Sequence, residues 1–493
     1  MALQVEQLSH MASRFPDEVA YVDLATDEAL TFAEWEAAAN RLARGLAANG
    51  VHPGDRVALF LESTFPLRWI VAYAAIHKAG AVAVPTNTRL SAREVGAVLG
   101  HAEPVAAITS STLRPMLEEA SVASIRRVVE ADGPGWDGVA DADDSPFQQP
   151  VGEDDLADIM YTSGTTGLPK GIAVRHRSLH ILPNAEVDWT GDLWLHGSPL
   201  FTFAGISFVY NPMKMGMRTL YLSRFDADRW LDVVEEHRPT MSFIVPAMAQ
   251  LLVTNDRFEG ADLSSLAVLS VGSAPLAPAL PRRLADRLPG VSVTNNYSMT
   301  EAGTAFTYLP PEEVERRPGS VGIPMGTEVR IADELDRPLP TGETGEVQIK
   351  VGENRREYYR DPDASAATWT GDWLRTGDLG RLDEDGYLYI SGRAKDVIIR
   401  GGNNIHAADV EAVLAEQPAV QEVAGAAGPP EVLGGDVGAW VVVRDGRTLT
   451  ADEVIGFCAD RLADYKVPRV VTFLDALPRN PTGKVLKRDL PRT

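Results

Sequence analysis

A stretch rich in glycine, serine and threonine ends in a lysine, a combination that suits the binding of a polyphosphate. It runs Tyr161-Thr162-Ser163-Gly164-Thr165-Thr166-Gly167-Leu168-Pro169-Lys170-Gly171. Its glycines let the backbone approach a ligand, its hydroxyls add hydrogen-bond donors, and Lys170 adds a positive charge. A Walker A loop has its lysine followed by Ser or Thr at the start of a helix, whereas Lys170 lies between a proline and a glycine. The P-loop interpretation therefore fails, and a flexible hairpin is the alternative for this stretch taken alone.

Two carboxylates that could bind a ligand follow later in the chain. Glu301 ends the turn 295–301, where a carboxylate could hold Mg2+, although Thr-Glu is also a common start of a helix. Asp378 lies between Gly377 and Leu379 and could accept both hydroxyls of a ribose. Taken alone, Asp378 is equally typical of a hairpin turn.

Two basic segments complete the set of residues that could do chemistry. Residues 391–403 combine Arg393, Lys395 and Arg400 with a pair of glycines, which suits nucleotide binding or a solvated basic hairpin. Lys484 follows Asn480-Pro481-Thr482-Gly483, and a lysine on such a loop is usually a solvated charge.

Taken together and in order, the five patterns resemble the acyl-adenylate-forming family, which holds acyl-CoA synthetases, firefly-type luciferases and peptide-synthetase adenylation domains. The resemblance extends from Leu30 to Lys484. It implies an enzyme of the fatty-acid–CoA ligase type, with Mg2+ as cofactor and with ATP and CoA as co-substrates. Such an enzyme activates a carboxylic acid to an acyl-adenylate with release of pyrophosphate, and then transfers the acyl group to CoA.

The resemblance also implies roles for individual residues. The residues expected at ATP or AMP are Thr162, Ser163, Gly164, Thr165, Thr166, Gly167, Lys170, Ser273, Ala274, Pro275, Asn295, Asn296, Tyr297, Ser298, Thr300, Asp378, Arg393 and Lys484. Mg2+ is expected at Thr162 and Glu301, and the catalytic set is Lys484, Glu301, Thr300 and Lys170. Lys395 is the expected hinge, and Arg400, Gly401 and Gly402 are expected to face CoA.

The elements that must position these residues follow an alternating order. Apolar strands and helices alternate from residue 57 onward, which predicts α/β architecture with helix-covered parallel sheets. In such sheets ligands collect beyond the carboxyl ends of the strands. Residues 132–155, rich in Gly, Pro and Asp, predict a surface linker. Short strands over 319–392 predict a small antiparallel barrel-like subdomain. Together with the resemblance, these patterns imply a large N-terminal adenylation domain, 1–394, and a mobile small α+β C-terminal domain, 395–493, that carries Lys484.

Length, net charge and cysteine content limit the number of domains, the classes of partner and the compartment that the sequence predicts. A length of 493 residues predicts at least two domains, and a net charge of −23 argues against nucleic acid or an anionic membrane. Cys458 is the only cysteine, so no internal disulfide forms, which fits the cytoplasm. We find no signal peptide and no apolar run of about 18 residues that could span a membrane. The expected partners are a carboxylic acid, ATP and CoA, and a homodimer is one arrangement open to the chain.

The acid itself is predicted from the segment after Pro199-Leu200-Phe201. Amino-acid-activating relatives place an aspartate there, whereas this chain has no acidic group in 202–206, so an acid without an α-amine is favoured. The chain departs from the common acyl-CoA synthetase pattern at Thr202, Ser273 and Ser298. The acyl pocket is predicted to be lined by Thr202, Phe203, Ile206, Val209, Val245, Ser298, Met299 and Thr304, a mostly apolar wall suited to an aliphatic, bulky or alicyclic acid.

The acceptor is predicted to be CoA for two reasons. The glycine pair expected to face CoA, Gly401 and Gly402, is present. No obvious insertion interrupts 319–392, whereas relatives that form only the adenylate carry one there. The alternative is an acyl-AMP ligase that loads a carrier protein. An oxygen-dependent luciferase and an adenylate-binding scaffold without turnover are the more distant alternatives.

Overall fold

The structure, a computed structural model, describes residues 3–162, 169–179, 181–274, 279–303, 305–314, 316–400, 403–431, 434–479 and 485–491. Helices and strands alternate through the first part of the chain. Its elements are α1 (Gln4–Arg14), β1 (Val19–Asp23), β2 (Glu28–Thr31), α2 (Phe32–Ala48), β3 (Arg56–Phe60), α3 (Pro66–Lys78), β4 (Val82–Pro85), α4 (Ala92–Ala102), β5 (Ala106–Thr109), α5 (Arg114–Glu119), β6 (Arg127–Glu130) and α6 (Pro134–Val139).

The alternation continues up to the turn that carries Glu301. The elements of this second part are β7 (Leu156–Thr162), β8 (Lys170–Arg175), β9 (Asp192–His196), α7 (Phe203–Lys214), β10 (Met217–Tyr221), α8 (Ala227–His237), β11 (Met241–Ile244), α9 (Pro246–Val253), β12 (Val268–Val271), α10 (Ala279–Arg287) and β13 (Ser292–Asn295).

Strands then dominate, before a last region that mixes both. These elements are β14 (Phe306–Tyr308), β15 (Ser320–Met325), β16 (Glu328–Ala332), β17 (Gly345–Lys350), β18 (Glu357–Tyr358), α11 (Pro362–Thr368), β19 (Trp369–Thr370), β20 (Trp373–Leu382), β21 (Leu388–Arg393), β22 (Val397–Arg400), β23 (Asn403–His406), α12 (Ala407–Ala415), β24 (Val420–Glu431), β25 (Gly434–Val443), α13 (Ala451–Ala459) and β26 (Val470–Phe473).

Local sequence explains where several helices begin. Thr31 accepts a hydrogen bond from the Glu34 backbone N–H, and the Glu34 carboxylate accepts one from the Thr31 N–H, so α2 starts with a capping box. Ser91 and Glu94 do the same for α4. Pro66 stands in the first turn of α3, where its missing N–H costs nothing.

Among the described residues, two seven-stranded sheets form the body of the first 300 residues. Sheet I has the order β6-β5-β3-β4-β7-β8-β18, parallel up to β7 and antiparallel from β7 to β18. Sheet II has the order β13-β12-β11-β9-β10-β1-β2 and is parallel except for the β1–β2 pair. The largest apolar core joins the two sheets through α2, α3 and α7. The predicted helix-covered parallel sheets are therefore confirmed.

Sheet III is antiparallel, with the order β14-β15-β21-β20-β17-β16 and β19 beside β20. It contains most strands of the barrel-like region predicted over 319–392, together with β14, which precedes that region. One strand of that region lies elsewhere, because β18 pairs with β8 at the edge of sheet I. The stretch 132–155 is also not wholly a surface linker: it contains α6, whose Trp136 and Val139 are buried.

Sheet IV has the order β23-β22-β25-β24, with β26 beside β25. Its apolar core consists of residues beyond 397 and includes the fully buried Cys458. The chain passes from sheet III to sheet IV between Arg393 and Val397, which supports the domain boundary at 394 and 395, although that boundary stays a prediction. No described helix is both long and apolar enough to cross a bilayer.

Candidate active site

The proposed phosphate loop connects two strands of sheet I. β7 and β8 pair antiparallel, and Thr162 is opposite Lys170 at the base of the connection. Both side chains are half-buried. The two strands predicted on either side of this stretch therefore pair with each other, whereas Ser163, Gly164, Thr165, Thr166 and Gly167 lie outside the described residues.

Lys170 and Glu301 meet on one aromatic side chain, Tyr358. The Lys170 ammonium lies over the Tyr358 ring, 5.0 Å from its centroid. The Tyr358 hydroxyl donates to Glu301 Oε1 at 3.3 Å. Burial, with the Glu301 carboxylate adding to it, raises the pKa of Tyr358 to about 12, so the hydroxyl remains a donor at neutral pH. The structure thus brings together a lysine and a carboxylate that are 131 positions apart in the sequence.

Arg356 holds the turn that carries Glu301. Its guanidinium donates to the Thr300 carbonyl at 2.7 Å and to the Ser178 carbonyl, and it lies 5.0 Å from the centroid of the Phe203 ring. The side chain is only 2% exposed. Burial lowers the pKa of Arg356 to about 10, against the opposite effect of the Asp158 and Glu301 carboxylates. The guanidinium therefore connects the Glu301 turn with the turn that follows β8 and with the first turn of α7.

A buried carboxylate stabilises β7 beneath the phosphate loop. Asp158 is fully buried, accepts from the Tyr73 hydroxyl at 2.7 Å, and is 2.9 Å from His77 Nε2. Burial raises the pKa of Tyr73 well above its ordinary range, and the Asp158 charge adds to this. These contacts connect β7 to α3 four residues before Thr162, so the strand that ends in the loop is well anchored.

The residues proposed for the ribose form a connected group. Asp378 on β20 is opposite Arg393 on β21, and Arg393 Nε lies 2.6 Å from Asp378 Oδ1. The Tyr297 hydroxyl donates to Asp378 Oδ2 at 2.5 Å. Burial raises the pKa of Tyr297 well above its ordinary range, with the Asp378 charge adding to this.

The residues proposed to border adenine follow two adjacent strands of sheet II. Val271 on β12 is opposite Asn295 on β13, so 272–274 and 295–297 leave the sheet at the same edge. Asn296 Nδ2 donates to Ser270 Oγ at 3.2 Å. Ser273 has a φ of 70°, a left-handed conformation that favours glycine. Ala274 is half-buried, and Pro275 lies outside the described residues.

The predicted acyl wall is only partly at an accessible surface. Thr202 caps α7 by accepting from the Gly205 N–H at 3.0 Å, and Phe203 lies against Arg356. Ile206 and Val209 are each 1% exposed and pack into the core between sheets I and II. The remaining predicted wall residues have these positions: Val245 and Met299 are half-buried, Ser298 is exposed, and Thr304 lies outside the described residues.

The other end of α7 contains a buried amine. Lys214 is 6% exposed and donates to the Leu182 carbonyl at 2.8 Å. Burial lowers the pKa of Lys214 from 10.5 to about 7.

Part of the proposed C-terminal contribution lies outside the described residues. Gly401, Gly402 and Lys484 lie outside the described residues, and Arg400 ends β22. Lys395 is exposed, between sheets III and IV. Residues flanking the Lys484 segment are anchored to the C-terminal core by two ion pairs, Arg479 with Glu422 at 3.0 Å and Lys487 with Glu411 at 2.8 Å.

The donors present suit Mg2+ better than a metal that needs a closed cage. Among the described residues, no group of three or more His, Cys, Asp or Glu side chains could hold a metal ion. Mg2+ commonly uses one or two carboxylates together with substrate phosphates and water. Glu301 and the Thr162 hydroxyl are such hard oxygen donors, so these residues fit the ion.

Sequence reasoning did not identify Arg356 and Tyr358. Neither residue lies in one of the five patterns, and their segment was predicted to belong to the barrel-like region. The Asp361-Pro362 pair after them indicates a helix start, which could have marked the preceding residues as leaving sheet III.

Comparisons with known proteins show which family the chain belongs to. The family described as AMP-binding enzyme matches residues 8–359, and the AMP-binding enzyme C-terminal domain matches residues 409–484. The chain is 35% identical to the long-chain-fatty-acid–CoA ligase FadD13 of Mycobacterium tuberculosis, with 97% of this chain and 96% of that protein covered. It is 38% identical to the feruloyl-CoA synthase of Amycolatopsis sp, with 94% of each chain covered. It is also 32% identical to the fatty acid–[acyl-carrier-protein] ligase ScoC of Streptomyces coeruleorubidus, with 94% of this chain and 91% of that protein covered.

Solved structures show the same fold over nearly the whole chain. The anthranilate CoA ligase AuaEII in complex with anthranoyl-AMP superposes with a TM-score of 0.90 at 25% identity, covering 99% of this chain and 96% of that one. ATP-bound MatB from Rhodopseudomonas palustris superposes with a TM-score of 0.88 at 30% identity, covering 99% of this chain and 98% of that one.

Proposed function

The chain belongs to the AMP-binding enzymes, and we propose that it is an acid–thiol ligase that uses CoA as its acceptor. The substrate carboxylate attacks the α-phosphorus of ATP, and pyrophosphate leaves. The thiol of CoA then attacks the carbonyl of the acyl-adenylate, the acyl–phosphate bond breaks, and AMP leaves as the thiol proton is lost. The observation that carries the proposal is the meeting of Lys170 and Glu301 on Tyr358, because it assembles the charges that the first step requires.

The first step needs positioning and charge neutralisation rather than a protein nucleophile. Two anions react, and negative charge builds up on the departing pyrophosphate. Lys170, at the base of the phosphate loop, would neutralise part of that charge. Thr162 and Glu301 would hold Mg2+, which when bound neutralises phosphate oxygens.

The nucleoside would be held by the group formed by Asp378, Arg393 and Tyr297. Asp378 would accept hydrogen bonds from the ribose hydroxyls, while Arg393 and Tyr297 fix the carboxylate. The residues at the ends of β12 and β13 would border the adenine. These roles remain proposals that follow from the family pattern and from the positions of the side chains.

We propose an acid without an α-amine, held against an apolar surface at the first turn of α7. The segment 202–206 contains no carboxylate that could pair with an ammonium group. Relatives with more than 30% identity are named for a long-chain fatty acid and for ferulate, which supports an acid with a large apolar body. A cytoplasmic location and a homodimer stay predictions from the sequence.

A carrier protein is the second candidate acceptor, because one relative is named as an acyl-carrier-protein ligase. The test is to incubate the enzyme with ATP, Mg2+ and a panel of long-chain, alicyclic and aromatic acids, with and without CoA, and to identify the products by mass. We expect acyl-CoA. Acyl-AMP that persists in the presence of CoA would favour the carrier protein. Absence of acid-dependent pyrophosphate release would contradict the proposal, and an amino acid without an apolar body is the negative control.

A further inference from the structure

We infer that Tyr358 is a positioning residue that couples the two charges of the phosphate site: its ring locates the Lys170 ammonium and its hydroxyl locates the Glu301 carboxylate. The inference rests on the proposed function and deepens it. Tyr358 lies on β18, in a segment that none of the five sequence patterns includes. The three side chains are all half-buried, so each contact is partly shielded from water.

The spacing provided by the tyrosine is the first argument. Both Lys170 and Glu301 are described residues, and they form no ion pair with each other within 4 Å; each contacts Tyr358 instead. A direct ion pair would neutralise both groups, so that binding of phosphate or metal would first have to break it. The aromatic face attracts the ammonium without a formal charge, and the hydroxyl donates to the carboxylate without neutralising it.

The backbone of Tyr358 is fixed relative to Lys170, which is the second argument. Tyr358 is opposite Ile172 on β8, and the Tyr359 N–H donates to the Gly171 carbonyl at 2.7 Å. The Tyr358 N–H donates to Ser365 Oγ at 2.9 Å, which connects β18 to α11. The Tyr358 ring is therefore held beside β8, the strand that begins at Lys170.

The other end of the contact is fixed through Arg356, which is the third argument. Arg356 donates to the Thr300 carbonyl, so the turn that carries Glu301 is held by the residue two positions before Tyr358. The short segment 356–358 thus contacts the Glu301 turn at two points. Arg356 donates to the backbone carbonyl of Thr300, and Tyr358 donates to the carboxylate of Glu301. Residues that orient a metal-binding carboxylate typically change metal affinity by about 10- to 100-fold when they are mutated.

Two substitutions separate the two contacts. Tyr358→Phe retains the ring beneath Lys170 and removes the hydroxyl that holds Glu301. Tyr358→Leu removes both contacts and retains an apolar side chain. The matched controls are Tyr359→Phe and Tyr359→Leu, because Tyr359 contacts the ring of His101 rather than Lys170 or Glu301.

The measurement is calorimetric binding of ATP without any acid substrate, in EDTA and in excess MgCl2. For Tyr358→Phe we expect unchanged ATP affinity in EDTA and about tenfold weaker affinity with Mg2+. For Tyr358→Leu we expect weaker binding in both conditions, by about threefold in EDTA. In pyrophosphate-release assays, the Mg2+ concentration for half-maximal rate should rise in Tyr358→Phe, and saturating Mg2+ should restore most of the rate.

The outcomes distinguish this inference from the proposed function. If wild-type enzyme binds ATP and turns over, but Tyr358→Phe and Tyr359→Phe bind ATP with Mg2+ equally well, the inference is wrong and the function stands. A lower melting temperature in Tyr358→Phe with an unchanged Mg2+ dependence would show that the tyrosine only packs the sheet edge, which also overturns the inference. If the wild-type enzyme does not bind ATP, the proposed function and the inference are both wrong.

Discussion

At the scale of single residues, Lys214 makes the free energy of unfolding rise with pH above neutrality. Its pKa is about 7 in the folded protein and 10.5 when exposed. Between these values the unfolded chain binds a proton that the folded protein does not, so stability falls as pH decreases from 10.5 toward 7 and changes little below that. The buried amine at the end of α7 therefore opposes folding less at mildly alkaline pH than at neutral pH.

We predict that Lys214→Met removes this dependence. From about pH 7 to pH 9 the free energy of unfolding of the wild type should rise relative to the variant by up to about 1.4 kcal/mol per pH unit. Urea unfolding followed by tryptophan fluorescence measures the difference. Lys350→Met is the control, because the Lys350 ammonium lies at the surface beside Glu328 and its pKa is raised, and its curve should run parallel to that of the wild type. A constant difference between wild type and Lys214→Met would contradict the prediction.

The residues that carry the site differ in how far the sequence predicts them. Glu301 and Lys170 have recognisable neighbours, so their types and spacing indicate their roles before any coordinates are known. Tyr358 and Arg356 have no such signal, because each acts through a contact with a residue more than 50 positions away. Only the pairing of β18 with β8 brings them to the site, and a two-residue strand is too short for hydrophobic periodicity to reveal its partner.

At the scale of elements, the loop after β12 contains a strained residue. Ser273 has a φ of 70° and an exposed side chain. A side chain in the left-handed region costs about 1–2 kcal/mol, and glycine avoids that cost while losing more entropy on folding.

We predict that Ser273→Gly stabilises the protein by about 0.5–1 kcal/mol. Ser273→Ala is the matched control, because it retains the Cβ atom and the strain, and it should not stabilise the protein. Urea unfolding of the three proteins measures both effects. Equal stabilisation by glycine and alanine would contradict the explanation, since the effect would then not depend on backbone conformation.

The alternating elements of sheets I and II are predictable because buried parallel strands form continuous apolar runs. The exceptions are short. The helix α6 lies in a stretch whose glycines, prolines and aspartates are typical of linkers, yet burial of Trp136 and Val139 stabilises it there. The helix α11 begins with Asp361 and Pro362, but the surrounding short strands dominate the pattern. Tertiary contacts determine the secondary structure of such segments, and the local sequence does not reveal these contacts.

At the scale of the whole molecule, the residues that flank the Lys484 segment contact the domain built on sheet IV. Arg479 and Lys487, on either side of it, are paired with Glu422 and Glu411 of that domain. Any rotation of this domain at the predicted hinge, Lys395, would therefore carry Lys484 with it. One site could then serve two steps in turn.

We predict that Lys484→Ala slows adenylation by about 100-fold or more and changes thioester formation from supplied acyl-adenylate by less than about twofold. Acid-dependent pyrophosphate release and acyl-CoA formation measure the two steps separately. Lys350→Ala is the control, since the Lys350 ammonium lies at the surface beside Glu328, and both of its rates should remain near wild type. Equal loss of both steps in Lys484→Ala would contradict the division of roles.

The burial of Cys458 has a practical consequence for anyone who measures this enzyme. The side chain is fully buried in the core of sheet IV, and burial raises the pKa of its thiol to about 11, so almost no reactive thiolate exists near neutral pH. A chromogenic disulfide reagent added to the native enzyme should therefore titrate the remaining coenzyme and ignore the protein. Colour that develops beyond the coenzyme's share would report opening of this core, which makes the single cysteine a built-in indicator of damage during a long assay.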